Sequence, residues 1–201
     1  MKHRELFRRI VWRAADPKTR TDSAYILPTA LATTATPDTI ARTEQLLGFD
    51  LPTFWRDLYT LVGNGGFGPG YGIVGALGGH TTAHNENIAS LYRLWRSVHG
   101  TPDEPEWPER VVPVCDWGSA IWSCLDCRRA EPRIIVSDCG RFLSPADRAM
   151  QPATSHSSPE SWLDAWADGH QLWDHMFPDR PLSKKALVNP FTGEIIRPER
   201  P

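Results

Sequence analysis

A chain of 201 residues, 40% apolar and 23% charged, has the length of one generous domain or two small ones and can bury roughly 70% of its unfolded surface. That apolar content excludes global disorder, and no run approaches the roughly 18 apolar residues of a membrane helix. A formal net charge of -2 argues against a protein devoted to wrapping phosphate backbones. Nine Trp, 15 Gly with 18 Pro, and four Cys are the features that need an account.

Charge is unevenly spread. Residues 1 to 20 hold Lys2, Arg4, Arg8, Arg9, Arg13, Lys18 and Arg20 against Glu5 and Asp16, a net of +5, which leaves -7 for the remainder. No apolar core or small-residue cleavage site follows the charges, so a secretory signal is not indicated. Leu6, Phe7, Ile10, Val11 and Ala14 follow the i, i+3, i+4 rule instead, with the arginines largely on the other face. An amphipathic helix packed on the body is expected there. Residues 15 to 36, with Pro17, Pro28 and many Thr and Ser, read as a connecting segment.

From residue 37 the local signals sharpen. Thr36-Pro37 is an N-cap with proline at the first helical position, and Gly48 stands where a C-terminal glycine belongs. Ile40, Thr43, Glu44 and Leu47 give that helix one modest apolar edge. Leu51-Pro52 begins a second helix in which Phe54, Trp55, Leu58, Leu61 and Val62 share a face. It ends in the stretch Gly63 to Gly72, whose glycines call for positive φ or a close backbone approach. Ile73-Val74 suggests a brief strand. Ile88, Leu91, Tyr92, Trp95 and Val98 mark another helix, ended by Gly100 and a Pro/Glu-rich loop through Pro108.

The period then changes. Val111 to Cys115 and Ala120 to Leu125 are β-branched and aromatic stretches around the turn-rich Asp116-Trp117-Gly118-Ser119, and Arg133 to Val136 reads as a third strand. An antiparallel meander is expected. Ser158-Pro159 caps a terminal helix with an aromatic stripe of Trp162, Leu163, Trp166, Trp173, Met176 and Phe177. Helices first, a small and mostly antiparallel sheet in the centre, and a closing helix make an α+β chain, since strands do not alternate with helices. The organisation is a basic helix plus connecting segment over 1–36, an α+β domain over 37–177, and a Pro-rich tail over 178–201.

Motifs for catalysis are thin. Gly63 to Gly68 and Gly70 to Gly75 both match G-x-G-x-x-G, but a helix precedes them where a dinucleotide site needs a strand. No G-K-[ST] or G-x-S-x-G string occurs. His84-Asn85-Glu86 followed by Cys124-Leu125-Asp126-Cys127 has the residue types of a zinc deaminase in the right order. Ser123 stands where proline is expected, however, and Cys124 belongs to a strand-like run. Cys115, Cys124, Cys127 and Cys139 hold only one C-x-x-C pair, half the usual structural-zinc signature. Buried free thiols are the reading favoured for them, with no metal and no cofactor.

One resemblance gathers these pieces. Leu47-Gly48, Leu51-Pro52, the aromatic helix through Trp55 and Leu58, Asn64-Gly65-Gly66, Val112-Pro113-Val114, Asp116-Trp117-Gly118, Trp122 and Asp126 together resemble the SUKH superfamily, named partly for a fungal regulator of cell-wall assembly. Trp162-Leu163, Trp166 and Gly169 are similar to the closing helix of its bacterial members. The likeness covers roughly residues 37 to 177. The basic extension and the Pro-rich tail depart from the pattern, and Ser119 stands where bacterial relatives often have Cys.

The resemblance implies a non-enzymatic, cytoplasmic protein-binding domain. Many bacterial members are immunity proteins that block a cognate toxin, and others are regulatory scaffolds. It carries over no catalytic residue. It implies structural roles for Leu51, Pro52, Asn64, Gly65, Gly66, Gly118 and Trp122. Tyr71, Asp116, Trp117 and Asp126 are the candidates to project towards a partner, from the glycine-rich loop and the sheet face. The acidic body suits a cationic, nuclease-type toxin, with neither a membrane nor a nucleic acid as direct partner. A zinc-dependent deaminase-like enzyme and a cell-wall-type regulatory scaffold are the alternatives.

Overall fold

The computed structural model describes residues 3–22, 31–98, 106–138, 151–152, 158–170, 172–176, 187–188 and 195–196. Along them run the helices α1 (Arg4–Ala15), α2 (Pro37–Leu47), α3 (Thr53–Leu61) and α4 (Ile88–Val98), then the strands β1 (Val111–Asp116), β2 (Ile121–Asp126) and β3 (Arg133–Asp138). The short strand β4 (Gln151–Pro152), the helices α5 (Pro159–Ala167) and α6 (Leu172–Met176), and the two-residue strands β5 (Leu187–Val188) and β6 (Ile195–Ile196) complete them. The main sheet is antiparallel in the order β1-β2-β3-β4, and β5 pairs with β6. The architecture is the α+β one expected. Pro28, Gly100, Cys139, Phe177 and most of 178–201 lie outside the described residues. Among those described, no helix is long and apolar enough to cross a membrane.

Local chemistry sets the helix ends. The Thr36 hydroxyl accepts from Thr39 N–H at 3.1 Å, Pro37 opens α2, and Gly48 closes it in the left-handed region. Glu44 does more than line an edge: its Oε1 accepts from Leu51 N–H at 2.7 Å and Arg56 Nε at 2.6 Å, joining α2 to the start of α3. On α3 the buried face is Phe54, Trp55, Leu58 and Tyr59. Leu61, expected on that face, is 47% exposed because it falls at the edge of the buried arc, roughly 90° round the helix from its centre.

The meander forms with Val111 opposite Asp126, Cys115 opposite Ser123, and Ile121 opposite Asp138. A bulge between Pro113 and Cys115 accommodates the proline, which has no N–H for the ladder. Ile73 and Val74 do not make a full strand. They add one bridge, Ile73 to Cys115, and one hydrogen bond, from Val74 N–H to Val114 O at 2.8 Å.

The closing helix is two helices rather than one. Ser158 and Ser161 form a reciprocal capping box at the start of α5. Gly169 adopts φ +87°, its N–H donates to Trp166 O and His170 N–H to Ala165 O, which ends α5 and places Trp173 on the separate α6. Trp162, Leu163 and Trp166 are fully buried and form one core with Trp55, Tyr59, Phe67 and the sheet residues Leu125 and Ile134. Each Leu, Ile or Phe among them contributes roughly 1.5–3 kcal/mol by leaving water.

α1 joins this core through Phe7, Ile10 and Ala14, packing against α5. The arginines do not simply face solvent, as the periodicity suggested. Arg9 donates to Asp164 and Asp168 of α5, while Arg13 lies 4.6 Å over the Trp166 ring and donates to Trp166 O. Arg20 is buried, with Nε donating to Ala14 O at 2.7 Å. Much of the basic charge of the N-terminus is thus spent inside the molecule. Trp12, by contrast, is 83% exposed. Residues 20–22 then dock on the glycine-rich loop, with Gly68 N–H donating to Arg20 O and Asp22 N–H to Gly70 O.

Candidate functional site

Asn64 organises the loops around the site. It is buried, its Oδ1 accepts from Ala76 N–H at 2.8 Å, and its Nδ2 donates to Leu77 O at 3.1 Å. Its backbone carbonyl accepts from His80 N–H at 2.8 Å. Its side chain thereby pins residues 76 and 77, and its carbonyl pins His80, onto the end of α3. Gly65 is required beside it: at φ +82° a Cβ would lie 2.5 Å from Ile73 O. The His80 ring rests against Gly66. The Gly66, Gly68 and Gly72 N–H groups are spent on Ile73 O, Arg20 O and Pro69 O, so the stretch acts as a folding device against which the partly exposed His80 rests.

Tyr71 and Asp116 meet from the other side. Tyr71 N–H donates to Asp116 O at 2.9 Å, and the Asp116 carboxylate accepts from Gly118 N–H at 2.7 Å. Gly118 makes room for the phenol, since a Cβ there would sit 2.5 Å from Tyr71 Oη. Between Tyr71, Val74, His80, Thr81 and Asp116 lies a small pocket of about 100 Å³. Burial pushes the Asp116 carboxyl above its usual range, partly offset by the Gly118 N–H and the nearby charge of His84. Burial also lowers the His80 imidazole, which favours its neutral form.

Two of the four residues expected to project do not. Trp117 is buried, its Nε1 donating to Ser123 Oγ at 2.9 Å and its ring 5.9 Å from Trp173. Asp126 is buried at the far end of β2, where its two oxygens grip the Arg128 guanidinium at 2.8 Å each and Oδ1 accepts from Arg128 N–H. Those bonds to Arg128 hold its carboxyl below the usual range. Asp126 is a turn clamp because its strand position faces inward. Tyr71 and Asp116 are half-exposed and adjacent; His80, which completes their pocket, carries no motif of its own in the sequence.

The other motif residues are structural. Leu51 is buried with its N–H on Glu44, Pro52 N-caps α3, and Trp122 stacks edge-on against Trp95 at 5.4 Å. A second concavity, an open groove of about 520 Å³ between α2 and α3, is lined by Ala35, Ile40, Ala41, Leu61 and the Glu44–Arg56 pair.

The zinc arrangements do not assemble from the described residues. Cys124 sits mid-strand, opposite Pro113 in β1, not at a helix start. His84 is exposed, and the Glu86 carboxylate accepts from the Thr82 hydroxyl. Cys115, Cys124 and Cys127 are buried thiols outside any disulfide, with Cys115 Sγ 3.1 Å from Pro69 O. Burial raises the Cys115 thiol well above its ordinary range and pushes Cys127 up to about 12, so both are poorly disposed to become thiolate ligands. Cys139 lies outside the described residues. No group of three or more His, Cys, Asp or Glu side chains able to hold a metal occurs among those described.

Among known families, residues 34–163 match the one described as SMI1 / KNR4 family (SUKH-1). No curated protein matches the chain.

Proposed function

Because the chain belongs to the SMI1 / KNR4 family (SUKH-1), we propose that it is a non-enzymatic protein-binding domain acting as an immunity protein, which occludes the active surface of a cognate bacterial toxin. The observation that carries this reading is the Tyr71–His80–Asp116 face: two half-exposed side chains and a half-desolvated carboxylate, held by a rigid hydrogen-bonded frame. Preorganised surfaces of this kind lose little entropy on binding. An inhibitor needs only a complementary patch of roughly 800 Å² per partner, with a few residues supplying most of the energy.

The toxin is read as cationic and nuclease-like, in keeping with the -7 carried by residues 21–201. A cytoplasmic site of action accords with three buried thiols that form no disulfide. Trp117 belongs to the frame behind the surface, and Asp126 lies at the other end of the β1–β2 ladder. The test is co-expression with each toxin-like domain found encoded beside the gene. Rescue of growth together with a purified one-to-one complex supports the reading; neither rescue nor complex with any neighbouring toxin overturns it in favour of a regulatory scaffold.

A further inference from the structure

The pocket bounded by Tyr71, His80 and Asp116 holds about 100 Å³. That is room for about three waters at roughly 30 Å³ each, and far below the roughly 300 Å³ where small-molecule sites begin. Its natural occupant is the tip of a side chain. Asp116 sets the chemistry: one oxygen accepts from Gly118 N–H, and among the described residues no cationic side chain forms an ion pair with it. No Lys or Arg lines the pocket. Besides Asp116 the polar groups that line it are Tyr71, His80, Thr81 and Thr82, with Glu86 on the same loop bound to Thr82. His84, exposed beside Ala83 and outside the lining, is the basic group whose charge reaches Asp116 without forming an ion pair with it.

From this arrangement we infer that the pocket receives the guanidinium or ammonium tip of an Arg or Lys presented by the protein partner, with Asp116 as counter-ion and Tyr71 as aromatic wall. A carboxylate entering here meets Asp116 and is repelled. A neutral side chain leaves a half-desolvated carboxylate without an ion partner, which costs free energy on closure. A cation repairs both, and gains attraction to an aromatic face where the geometry allows it. The inference rests on the reading of this face as the one that meets the partner.

The test needs no toxin. N-acetyl-arginine amide is titrated into the isotope-labelled protein, with N-acetyl-glutamine amide as the neutral control, and amide shifts are followed. Saturable shifts confined to Tyr71, His80 and Gly118, reduced at least fivefold in affinity by Asp116→Asn, are expected. Ala83→Arg, at an exposed rim position, fills the pocket from within and is expected to abolish them without touching the core. Equal shifts with the neutral control, or binding unchanged in both variants, overturns the inference. The two readings fail separately. Absence of any toxin complex sinks the immunity role and leaves the pocket's chemistry standing, whereas a toxin bound equally by wild type and Asp116→Asn sinks the pocket alone.

Discussion

Asn64→Ala is the sharpest test of the frame. The substitution removes an acceptor from Ala76 N–H and a donor to Leu77 O, at 2.8 and 3.1 Å. Ala76 is fully buried, so its N–H is left without a partner at about 1–3 kcal/mol, while the less buried Leu77 carbonyl can turn to water at about 1 kcal/mol or less. The sum, about 1–4 kcal/mol, is a sizeable part of a domain's usual 5–15 kcal/mol. Urea unfolding monitored by Trp fluorescence measures it as a fall in midpoint at constant slope. Asn64→Asp distinguishes lost volume from lost hydrogen bonds, since it keeps the acceptor but sets a carboxylate oxygen against Leu77 O, and it is expected to cost at least as much. Amide exchange at Ala76 and His80 should accelerate in both variants. A loss below about 0.5 kcal/mol in both would refute the claim that Asn64 holds the 76–80 loop.

Other outcomes follow from α1, from Asp22 and from the thiols. Ile10→Ala, at a fully buried site, is expected to cost about 2–5 kcal/mol, whereas Trp12→Ala, 83% exposed, should stay within about 0.5 kcal/mol; the two unfolding midpoints compare directly. The Asp22 carboxyl, between Arg13 at 3.5 Å and Gly70 N–H at 3.4 Å, is pushed by burial from 3.8 up to about 6. A folded value above the unfolded one means that the protonated form is favoured in the native state. Its contribution to stability is therefore fully present below about pH 4 and lost as pH rises through 6. The difference in unfolding free energy between wild type and Asp22→Asn should accordingly change between pH 4.5 and 7.5, and a flat difference would count against it. In a Cys139→Ser background, Cys115, Cys124 and Cys127 should resist an aromatic disulfide reagent until denaturant is added, because all three are buried; rapid native labelling would contradict their placement.

Sequence signals were most legible where structure is decided locally. Thr36-Pro37 and Gly48 bracket α2 because a cap needs only the residues beside it. The meander was legible because Val111–Asp116, Ile121–Asp126 and Arg133–Asp138 are separated by short turns. The break at Gly169 was missed because Trp166 and Trp173 continue the apolar stripe across it, and a spacing pattern does not register one left-handed residue. The inward turn of Arg9 depends on Asp164 and Asp168, more than 150 residues away, which no helical period encodes. The site was half legible. Tyr71 and Asp116 stand beside conspicuous glycines, but His80 is placed by the Asn64 carbonyl, and the inward aim of Trp117 and Asp126 is fixed by Ser123 and Arg128. A residue type suited to binding is not a residue exposed for it.

The central claim is that the Tyr71–Asp116 face blocks a toxin. The most direct measurement is calorimetric titration of any toxin-like domain found encoded beside the gene with wild type and Asp116→Asn, at equal fold stability. Tight one-to-one binding, weakened at least tenfold by Asp116→Asn with matching loss of protection in cells, is the predicted result. A toxin that neither binds nor is restrained by the wild-type protein would contradict the account.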